Sequence, residues 1–369
     1  MQNIWITYAE IGHGHKSAAL ALKRQLEDRG IKVKTFDSTR YANPFVFGIL
    51  VFLVVGIQKH CPRLYNFFYQ KAVKPKPTKD LFTKFAVRLA ATKKFVKLVQ
   101  KEKPSLIIST NFINTWQITY LKSHELYDVP VISICTDYIV FNWFLTDAKF
   151  IDFFIVADEK SKKEIISRGV SAAKVKDYGI PVSSKFTPRP KQPGPRLKIL
   201  FFGGGGLGHE GSLPYLKALQ GSSELEIKFV SGKSRKLYQK AKKIASENTQ
   251  VIGFSSDVPQ LLAWADLAIS KAGGISTAEC INAGTPLVSI LSSVAHEHEN
   301  VKYVVSKNVG KWCDSPASLQ TTIAHLAKDR NDLAAMQQNC RSAAKPAAAD
   351  NVAKLASSIL SGQKFTSSI

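Results

Sequence analysis

The chain has 369 residues, of which 45% are hydrophobic and 21% are charged, a composition typical of a globular protein with two domains. Lysine and arginine outnumber acidic residues by 51 to 28, so we expect an acidic partner or an anionic surface. The longest apolar run, Phe45 to Ile57, is shorter than the roughly 20 residues of a membrane-spanning helix. The composition therefore argues against a chain that crosses a bilayer.

Short apolar runs alternate with helical patterns along the first half of the chain. The run NIWITYA directly follows Met1 and Gln2, which leaves no room for a signal peptide. A helical pattern then extends from about His15 to Arg29 and ends at Gly30, before the run IKVKTFD. The later runs SLIIST, VPVISICTD and FFIVAD are each followed by helix-like sequence. This rhythm predicts a parallel sheet with helices on both faces.

A proline-rich stretch, TPRPKQPGPR, separates the two halves, because its four prolines cannot continue a helix or a strand. The rhythm then restarts with LKILFFGGGG, LEIKFVSG, TQVIGF, DLAIS and PLVSI. We predict an α/β fold of two facing Rossmann-like domains with an interdomain cleft. The predicted parts are an N-terminal domain (1–186), a linker (187–197), a C-terminal domain (198–345) and a C-terminal helix and tail (346–369).

The turn GHGHKSAALAL, after the first predicted strand, permits three interpretations. Gly12, Gly14 and Ser17 match a degraded G-x-G-x-x-G, and Asp37 ends the next strand-like run, as in dinucleotide-binding domains. However, Asp37 lies farther along the chain than that motif expects, and His15 would crowd a pyrophosphate. Because a helix dipole disfavours a charged histidine at the helix N-terminus, His15 suits a general base that deprotonates a hydroxyl. A histidine that only packs or caps is the third interpretation.

The turn SKAGGISTAE, residues 270–279, is typical of a phosphate site. Gly273 and Gly274 allow a tight turn after the strand DLAIS, and a helix that starts near Ser276 would direct free amides at an anion. Glu279, one turn into the helix, would then accept both hydroxyls of a ribose. The alternative is a capping box, in which Glu279 reaches back to the amide of the cap residue.

A second glycine-rich turn favours the phosphate interpretation. The stretch FFGGGGLGHEG, residues 201–211, follows the first strand of the second domain. Four consecutive glycines cost backbone entropy and offer no side chains to pack, so the close approach of a ligand is the simplest explanation.

An apolar run and a basic, aromatic segment lie next to each other in the first domain. Between Lys59 and Lys103, 13 lysines and arginines stand against two acidic residues, interleaved with phenylalanine and tyrosine. Together with the run Phe45 to Ile57, this pattern suits a domain that lies on an anionic bilayer. The alternatives are a buried core helix for the apolar run and a nucleic-acid surface for the cations. We expect no nucleic acid, because such binding would leave the glycine turns without a role.

Several motifs occur in the order known from one family. They are GHGHKSAALAL, TDY (136–138), YGIPVSSKF (178–186), GGGGLG, GFSSDVPQLLAWADLAISKAGGISTAE and HEHENVKYVV (296–305). In this order the chain resembles the monogalactosyldiacylglycerol synthases and the bacterial processive diacylglycerol glucosyltransferases. These enzymes belong with the N-acetylglucosaminyltransferase of peptidoglycan lipid intermediates.

The resemblance implies a GT-B fold and an inverting glycosyltransferase. Together with the apolar and basic segments, it leads us to expect a peripheral protein at the cytoplasmic face of the membrane. The C-terminal domain would hold a UDP-sugar donor, most simply a UDP-hexose, and the N-terminal domain would bind diacylglycerol or a glycolipid. Similar enzymes need no metal and no cofactor besides the UDP-sugar co-substrate, because a helix dipole and amides stabilise the leaving diphosphate. The sequence also lacks a D-x-D motif, and its five cysteines are scattered without C-x-x-C pairing, as in reduced cytosolic proteins.

The resemblance also assigns site residues. His15 would be the general base, and Asp137 would orient it or act beside it, unless Asp137 is an ordinary strand-end acid. In the donor site the two glycine turns would hold the diphosphate, and an acidic residue would bind the ribose. An aromatic ring would contact the base, and polar residues would bind the sugar. By motif position these donor residues are Gly204, Gly205, Phe254, Gly273, Gly274, Ile275, Ser276, Glu279, His296, Glu297 and Asn300.

The chain departs from the family pattern at four positions. Phe141 stands where the family has a histidine, Trp143 is out of register, and His296 and His298 replace a glutamine and a glutamate. The identity of the sugar, the exact acceptor, the number of sugars added and the oligomeric state therefore stay open. The alternatives are transfer of N-acetylglucosamine to a polyprenyl-linked lipid, a nucleotide-sugar 2-epimerase, and a non-catalytic lipid- or nucleotide-binding protein.

Overall fold

Two parallel β-sheets, one in each half of the chain, organise the fold. The computed structural model describes residues 3–10, 14–45, 92–188, 194–204, 209–291 and 295–362, together with residues 47–49, 52, 56, 57, 61, 64 and 67. For residues 295 and 296 only the backbone is described. Outside the described residues lie Gly12 and Gly205, part of the proline-rich linker, and most of the segment 46–91.

The chain divides into two units. The first comprises Met1–Ser183 and Ala347–Ile369, and the second comprises Ser184–Pro346. The first boundary therefore lies three residues before the predicted end of the N-terminal domain. The segment predicted as a separate C-terminal helix and tail belongs to the first unit.

The first unit contains a six-stranded sheet. Its strands are Asn3–Tyr8 (β1), Lys32–Asp37 (β2), Leu106–Ser109 (β3), Val131–Ile134 (β4), Phe153–Ile155 (β5) and Val175–Lys176 (β6). Outside the segment 44–91, its helices before the proline-rich stretch are Gly14–Glu27 (α1), Ser38–Ala42 (α2), Lys93–Glu102 (α3), Phe112–Ser123 (α4) and Glu159–Ser167 (α5), with 3-10 turns at Asn142–Leu145, Ala148–Phe150 and Ala172–Lys174. All the strands pair in parallel, in the order β2-β1-β3-β4-β5-β6.

The second unit also contains a six-stranded parallel sheet. Its strands are Leu197–Phe202 (β7), Leu225–Val230 (β8), Thr249–Ile252 (β9), Leu267–Ser270 (β10), Leu287–Ser289 (β11) and Gly310–Trp312 (β12). Its helices are Leu213–Ala218 (α6), Arg235–Ile244 (α7), Val258–Trp264 (α8), Gly274–Asn282 (α9), Ala295–Ser306 (α10), Pro316–Lys328 (α11) and Arg330–Ala343 (α12), with a 3-10 turn at Glu210–Ser212. The strand order is β12-β11-β10-β7-β8-β9.

The last helix of the chain, Ala348–Leu360 (α13), packs on the first sheet. Its buried residues, among them Val352 and Leu355, join one apolar cluster with Ile4 of β1 and Leu22 of α1. Arg29, just beyond α1, forms an ion pair with Asp350 of α13. A second cluster on the other face joins Trp5 of β1 to residues of α3 and α4. The first sheet is therefore covered on both faces, as its continuous apolar strands predict.

Each sheet reverses its strand order at one place. In the first sheet, β2 and β3 lie on opposite sides of β1, and in the second sheet, β8 and β10 lie on opposite sides of β7. Open α/β sheets bind their ligands at such switch points, beyond the carboxyl ends of the strands. The turn with His15 follows β1, and the two glycine-rich turns follow β7 and β10. All three predicted turns therefore lie at a switch point.

The sequence missed two strands and placed one helix start too late. The edge strands β6 and β12 are only two and three residues long, too short for an alternating pattern. Helix α9 begins at Gly274 with Gly273 as its cap residue, two residues before the predicted start. In the part of the chain that the structure describes, we find no helix with both the length and the apolar character needed to cross a bilayer.

Candidate active site

His15 lies in the first turn of α1, where backbone and side chains hold its ring. Its Nδ1 is 2.7 Å from the carbonyl oxygen of Thr110, which follows β3, and 3.1 Å from the hydroxyl of Thr136, which follows β4. The hydroxyl of Thr110 donates in turn to the His15 carbonyl. Because a carbonyl only accepts hydrogen bonds, Nδ1 carries the proton, and the neutral ring has its lone pair on Nε2.

The buried side chain of Asn111 contacts the other nitrogen of this ring. The amide Nδ2 is 3.0 Å from His15 Nε2, while Oδ1 accepts the backbone N–H of Ile113 at 2.9 Å and so caps α4. This cap fixes the direction of the carboxamide, since only the oxygen can accept from an amide N–H. Nδ2 therefore donates to Nε2, which agrees with the tautomer that Thr110 imposes.

The two acidic residues considered for this region lie in different surroundings. Asp137 follows Thr136 and is partly exposed, and the hydroxyl that reaches His15 Nδ1 belongs to Thr136. Asp37 ends β2, where it caps α2 by accepting the N–H of Arg40 and also accepts the N–H of Glu10 at 3.0 Å. Both carboxylate oxygens of Asp37 are used locally, which argues against its predicted part in a dinucleotide site.

Aromatic rings follow Asn111 directly in the chain. Phe112 packs edge-on against Trp116, with ring centroids 5.1 Å apart, and lies 5.7 Å from Trp143. The indole N–H of Trp116 donates to the carbonyl of Trp143, so the polar atom of this large side chain is satisfied. Phe112 and Trp143 keep part of their surface accessible, and the three rings form an aromatic cluster beside the partners of His15.

The start of α9 has the features of an anion site. Gly273 caps the helix without a side-chain hydrogen bond, and a Cβ atom at this position would meet nothing within 4 Å. The backbone amides of Gly274, Ile275 and Ser276 belong to the first turn of α9, whose amides have no partner within a helix. Since Ser276 lies inside the helix, the predicted capping box between Ser276 and Glu279 does not form.

Glu279 lies in the second turn of α9, in the second unit. Its side chain is partly accessible, and burial raises the pKa of its carboxyl group to about 8. Keeping an ionisable carboxyl group out of water costs free energy. An acidic residue in such surroundings is therefore a candidate functional group.

Two side chains of α10 reach the turn before α9. Asn300 is fully buried, and its Nδ2 donates to the carbonyl of Ala272 at 2.9 Å. Glu297 is also buried, and its Oε1 forms an ion pair with Lys271 Nζ at 3.0 Å. The Oε2 atom of Glu297 is buried and has no hydrogen-bond partner among the described residues. An orphaned carboxylate oxygen is costly and indicates a missing donor, such as a ligand hydroxyl.

Packing within the protein accounts for the first two glycines after β7. A Cβ at Gly203 would lie 2.6 Å from the ring of Phe229, and a Cβ at Gly204 would lie 2.4 Å from Cβ of His209. Gly204 also has a φ of 107°, which side chains rarely adopt. For these two residues, chain packing explains the glycine that the sequence analysis attributed to a ligand.

Phe254 lies away from this group, and two other predicted donor residues fall wholly or partly outside the described atoms. Phe254 follows the edge strand β9, where its ring is exposed and Lys233 Nζ lies 5.2 Å from the ring centroid. Strand β9 is three strands from β10, or roughly 14 Å. His296 lies in the first turn of α10, but its side chain is outside the described atoms, as is all of Gly205.

Sequence reasoning missed the residues that hold the predicted ones. Thr110 and Asn111 come directly after β3, and Thr136 comes two residues after the end of β4. Their contact with His15 depends on strand order, which the sequence does not show. Lys271 lies inside the motif SKAGGISTAE, directly after β10, but the sequence analysis gave it no role.

Two family models match the chain in succession. Residues 15–182 match monogalactosyldiacylglycerol (MGDG) synthase, and residues 212–352 match the glycosyltransferase family 28 C-terminal domain. Two relatives from Staphylococcus aureus, strains bovine RF122 and MRSA252, are named processive diacylglycerol beta-glucosyltransferase. They are 26% and 25% identical over 350 residues, which is 91% of this chain and 87% of each relative.

Solved structures share the fold over nearly the whole chain. MurG of Acinetobacter baumannii has a TM-score of 0.68 at 18% identity, covering 96% of this chain and 99% of its own. The calicheamicin glycosyltransferase CalG4 has a TM-score of 0.63 at 14% identity, covering 99% and 100%. A putative UDP-N-acetylglucosamine 2-epimerase from Listeria monocytogenes also scores 0.63, at 11% identity, covering 98% and 97%.

At these identities the structural likeness concerns the fold, and it confirms the predicted GT-B architecture of two α/β units. The two family models add the sequence relationship, because they follow each other along most of the chain. The chain therefore belongs to the glycosyltransferases that combine a monogalactosyldiacylglycerol synthase domain with a family 28 C-terminal domain.

Proposed function

We propose that the protein transfers a hexose from a UDP-hexose to diacylglycerol or a glycolipid. One observation carries the donor part: at the switch point of the second sheet, the open Gly273, the first turn of α9 and the orphaned oxygen of Glu297 lie together. Helix amides suit a diphosphate, and a buried carboxylate suits a sugar hydroxyl. The names of the Staphylococcus aureus relatives support the lipid acceptor and make glucose the first sugar to test.

We further propose that His15 is the general base of a single displacement. The acceptor hydroxyl gives its proton to Nε2 while its oxygen attacks the anomeric carbon, and the bond from that carbon to the UDP oxygen breaks. Attack opposite the leaving group inverts the anomeric centre. The negative charge that develops on UDP is stabilised by the amides of α9 and by Lys271, so this mechanism uses no metal or cofactor.

The acceptor is expected to reach this base from a membrane surface. Five large apolar side chains are exposed in the described part of the predicted apolar and basic segment: Phe45, Ile49, Phe52, Leu64 and Phe67. Insertion of such side chains beside lysines and arginines suits peripheral binding to an anionic bilayer, which we place at the cytoplasmic face. The aromatic cluster of Phe112, Trp116 and Trp143, which begins one residue after Asn111 in the chain, offers an apolar contact for the lipid.

The test is incubation of the purified protein with UDP-glucose, UDP-galactose, UDP-N-acetylglucosamine and GDP-sugars, each with vesicles that contain diacylglycerol and anionic lipid. Mass spectrometry is expected to detect diacylglycerol that carries one or more hexoses, formed only with a UDP-hexose. Transfer to a polyprenyl phosphate lipid, or conversion of the UDP-sugar without any lipid product, would contradict the proposal.

A further inference from the structure

The two nitrogens of the His15 ring are held in different ways. Thr110 binds Nδ1 through its backbone, whereas Asn111 binds Nε2 through a side chain. Nε2 is the nitrogen that must receive the acceptor proton. In the structure its lone pair is directed at the carboxamide of Asn111, whose own direction is fixed by the cap on α4.

We propose that Asn111 is a positioning residue of the transfer reaction. Its amide group donates a hydrogen bond to Nε2 of His15 and keeps this nitrogen unprotonated until the hydroxyl of the lipid substrate replaces the amide. The inference rests on the proposed role of His15 as the general base. It goes beyond that role because it names the group that keeps the base ready before the acceptor binds.

The physical reason is the difference between the two protonation states. Neutral His15 accepts the Asn111 N–H, whereas the imidazolium ion would direct its own N–H at the same amide hydrogens. The contact therefore favours the neutral ring. A hydroxyl is also a donor, so it replaces the amide without a change in the tautomer that Thr110 fixes.

The charged residues on the elements around His15 are the same in all variants of Asn111, so a change in the titration of His15 is due to residue 111. Beyond β1 and in α1 these are Glu10 and Lys16, which form an ion pair at 3.4 Å. Beyond β2 they are Asp37 and Arg40, of which Asp37 caps α2. Asp137 follows Thr136 beyond β4, and the start of α4 contributes the uncharged Asn111 itself.

Two substitutions separate the contact with Nε2 from the cap. Asparagine, aspartate and serine are all good helix caps, so Asn111→Asp and Asn111→Ser preserve the first turn of α4. Asn111→Asp replaces the donor at Nε2 with a carboxylate, which only accepts. Asn111→Ser has a side chain too short to reach Nε2. Thermal melting curves of both variants check that the fold is intact.

The experiment follows the titration of His15 by NMR in the substrate-free protein, with labelled histidine and His15→Ala to assign the signal among the eight histidines. In Asn111→Asp, His15 is expected to titrate about 1 to 3 pH units higher than in the wild type, because an opposite charge at this distance favours the imidazolium ion. In Asn111→Ser the midpoint is expected to fall between the two. Equal midpoints in the wild type and Asn111→Asp would overturn the inference.

The kinetic arm distinguishes this inference from the proposed function. The acidic limb of the pH profile of kcat/KM is expected to move upward in Asn111→Asp by the same amount as the NMR midpoint. A moved midpoint with an unmoved limb would show that His15 is not the base, which contradicts the proposed function and the positioning role together. An unmoved midpoint in an active enzyme would contradict only the role of Asn111.

Discussion

Gly273→Ala is predicted to weaken donor binding while leaving the fold nearly unchanged. A Cβ at Gly273 meets no protein atom within 4 Å, and the backbone there is extended, with φ −70° and ψ 142°. The folding cost is therefore that of a poorer helix cap, about 0.5 to 1 kcal/mol. The methyl group would instead occupy the space in front of the α9 amides. Loss of one charge-assisted hydrogen bond, about 1.5 to 3 kcal/mol, corresponds to a roughly 10- to 150-fold weaker Kd for UDP.

The assay is isothermal titration calorimetry with UDP, accompanied by a thermal melting curve. The matched control is Ser315→Ala, which removes the side-chain cap of another helix in the same unit, where Ser315 Oγ accepts from the N–H of Ser318 at 3.2 Å. We expect this control to lose a similar amount of stability and to bind UDP as the wild type does. A Kd for UDP within twofold of the wild type in Gly273→Ala would refute the assignment of this turn to the diphosphate.

Three further predictions concern the groups around the two switch points. Glu279 has a pKa of about 8 in the folded state and a usual pKa of 4.5. Between these pH values the folded state binds one more proton than the unfolded state, so the free energy of unfolding falls as pH rises from 5 to 8. The stability difference between the wild type and Glu279→Gln, followed by melting curves, should change in this window and be flat above pH 9. Asp37→Ala should reduce stability by about 1 to 2 kcal/mol in urea unfolding through loss of the α2 cap, yet leave binding of UDP unchanged; abolished nucleotide binding would restore the dinucleotide interpretation. Gly204→Ala should destabilise the second unit by at least about 1 to 3 kcal/mol in the same assay, because φ is 107° and His209 occupies the space; a variant as stable as the wild type would contradict the packing explanation.

Much of the architecture could be predicted because parallel strands carry a strong local signal. Buried strands such as LIIS of β3 and LAIS of β10 are short, continuous apolar runs bounded by turn residues. The alternation of such runs with helices specifies parallel pairing, and a glycine after a strand marks a turn. The division between the two units, after Ser183, lies a few residues before the proline-rich stretch. These features depend on neighbouring residues alone.

The remaining features depend on contacts between distant residues. Asn111 is 96 residues from His15, and its side chain meets Nε2 only because β3 pairs with β1. Gly204 was predicted to bind a ligand, and the local pattern gave no sign of its packing against His209. The packing of α13 on the first unit joins the two ends of the chain, and no local pattern indicates where a terminal helix docks.

Substitution of His15 tests the account most directly, because it separates the base in the first unit from the donor site in the second. We predict that His15→Ala lowers the rate of hexose transfer to diacylglycerol at least about 100-fold, as expected for loss of a general base, while the Kd for UDP from calorimetry stays at the wild-type value. Transfer near the wild-type rate, or a loss of UDP affinity that accounts for the lost rate, would contradict the account.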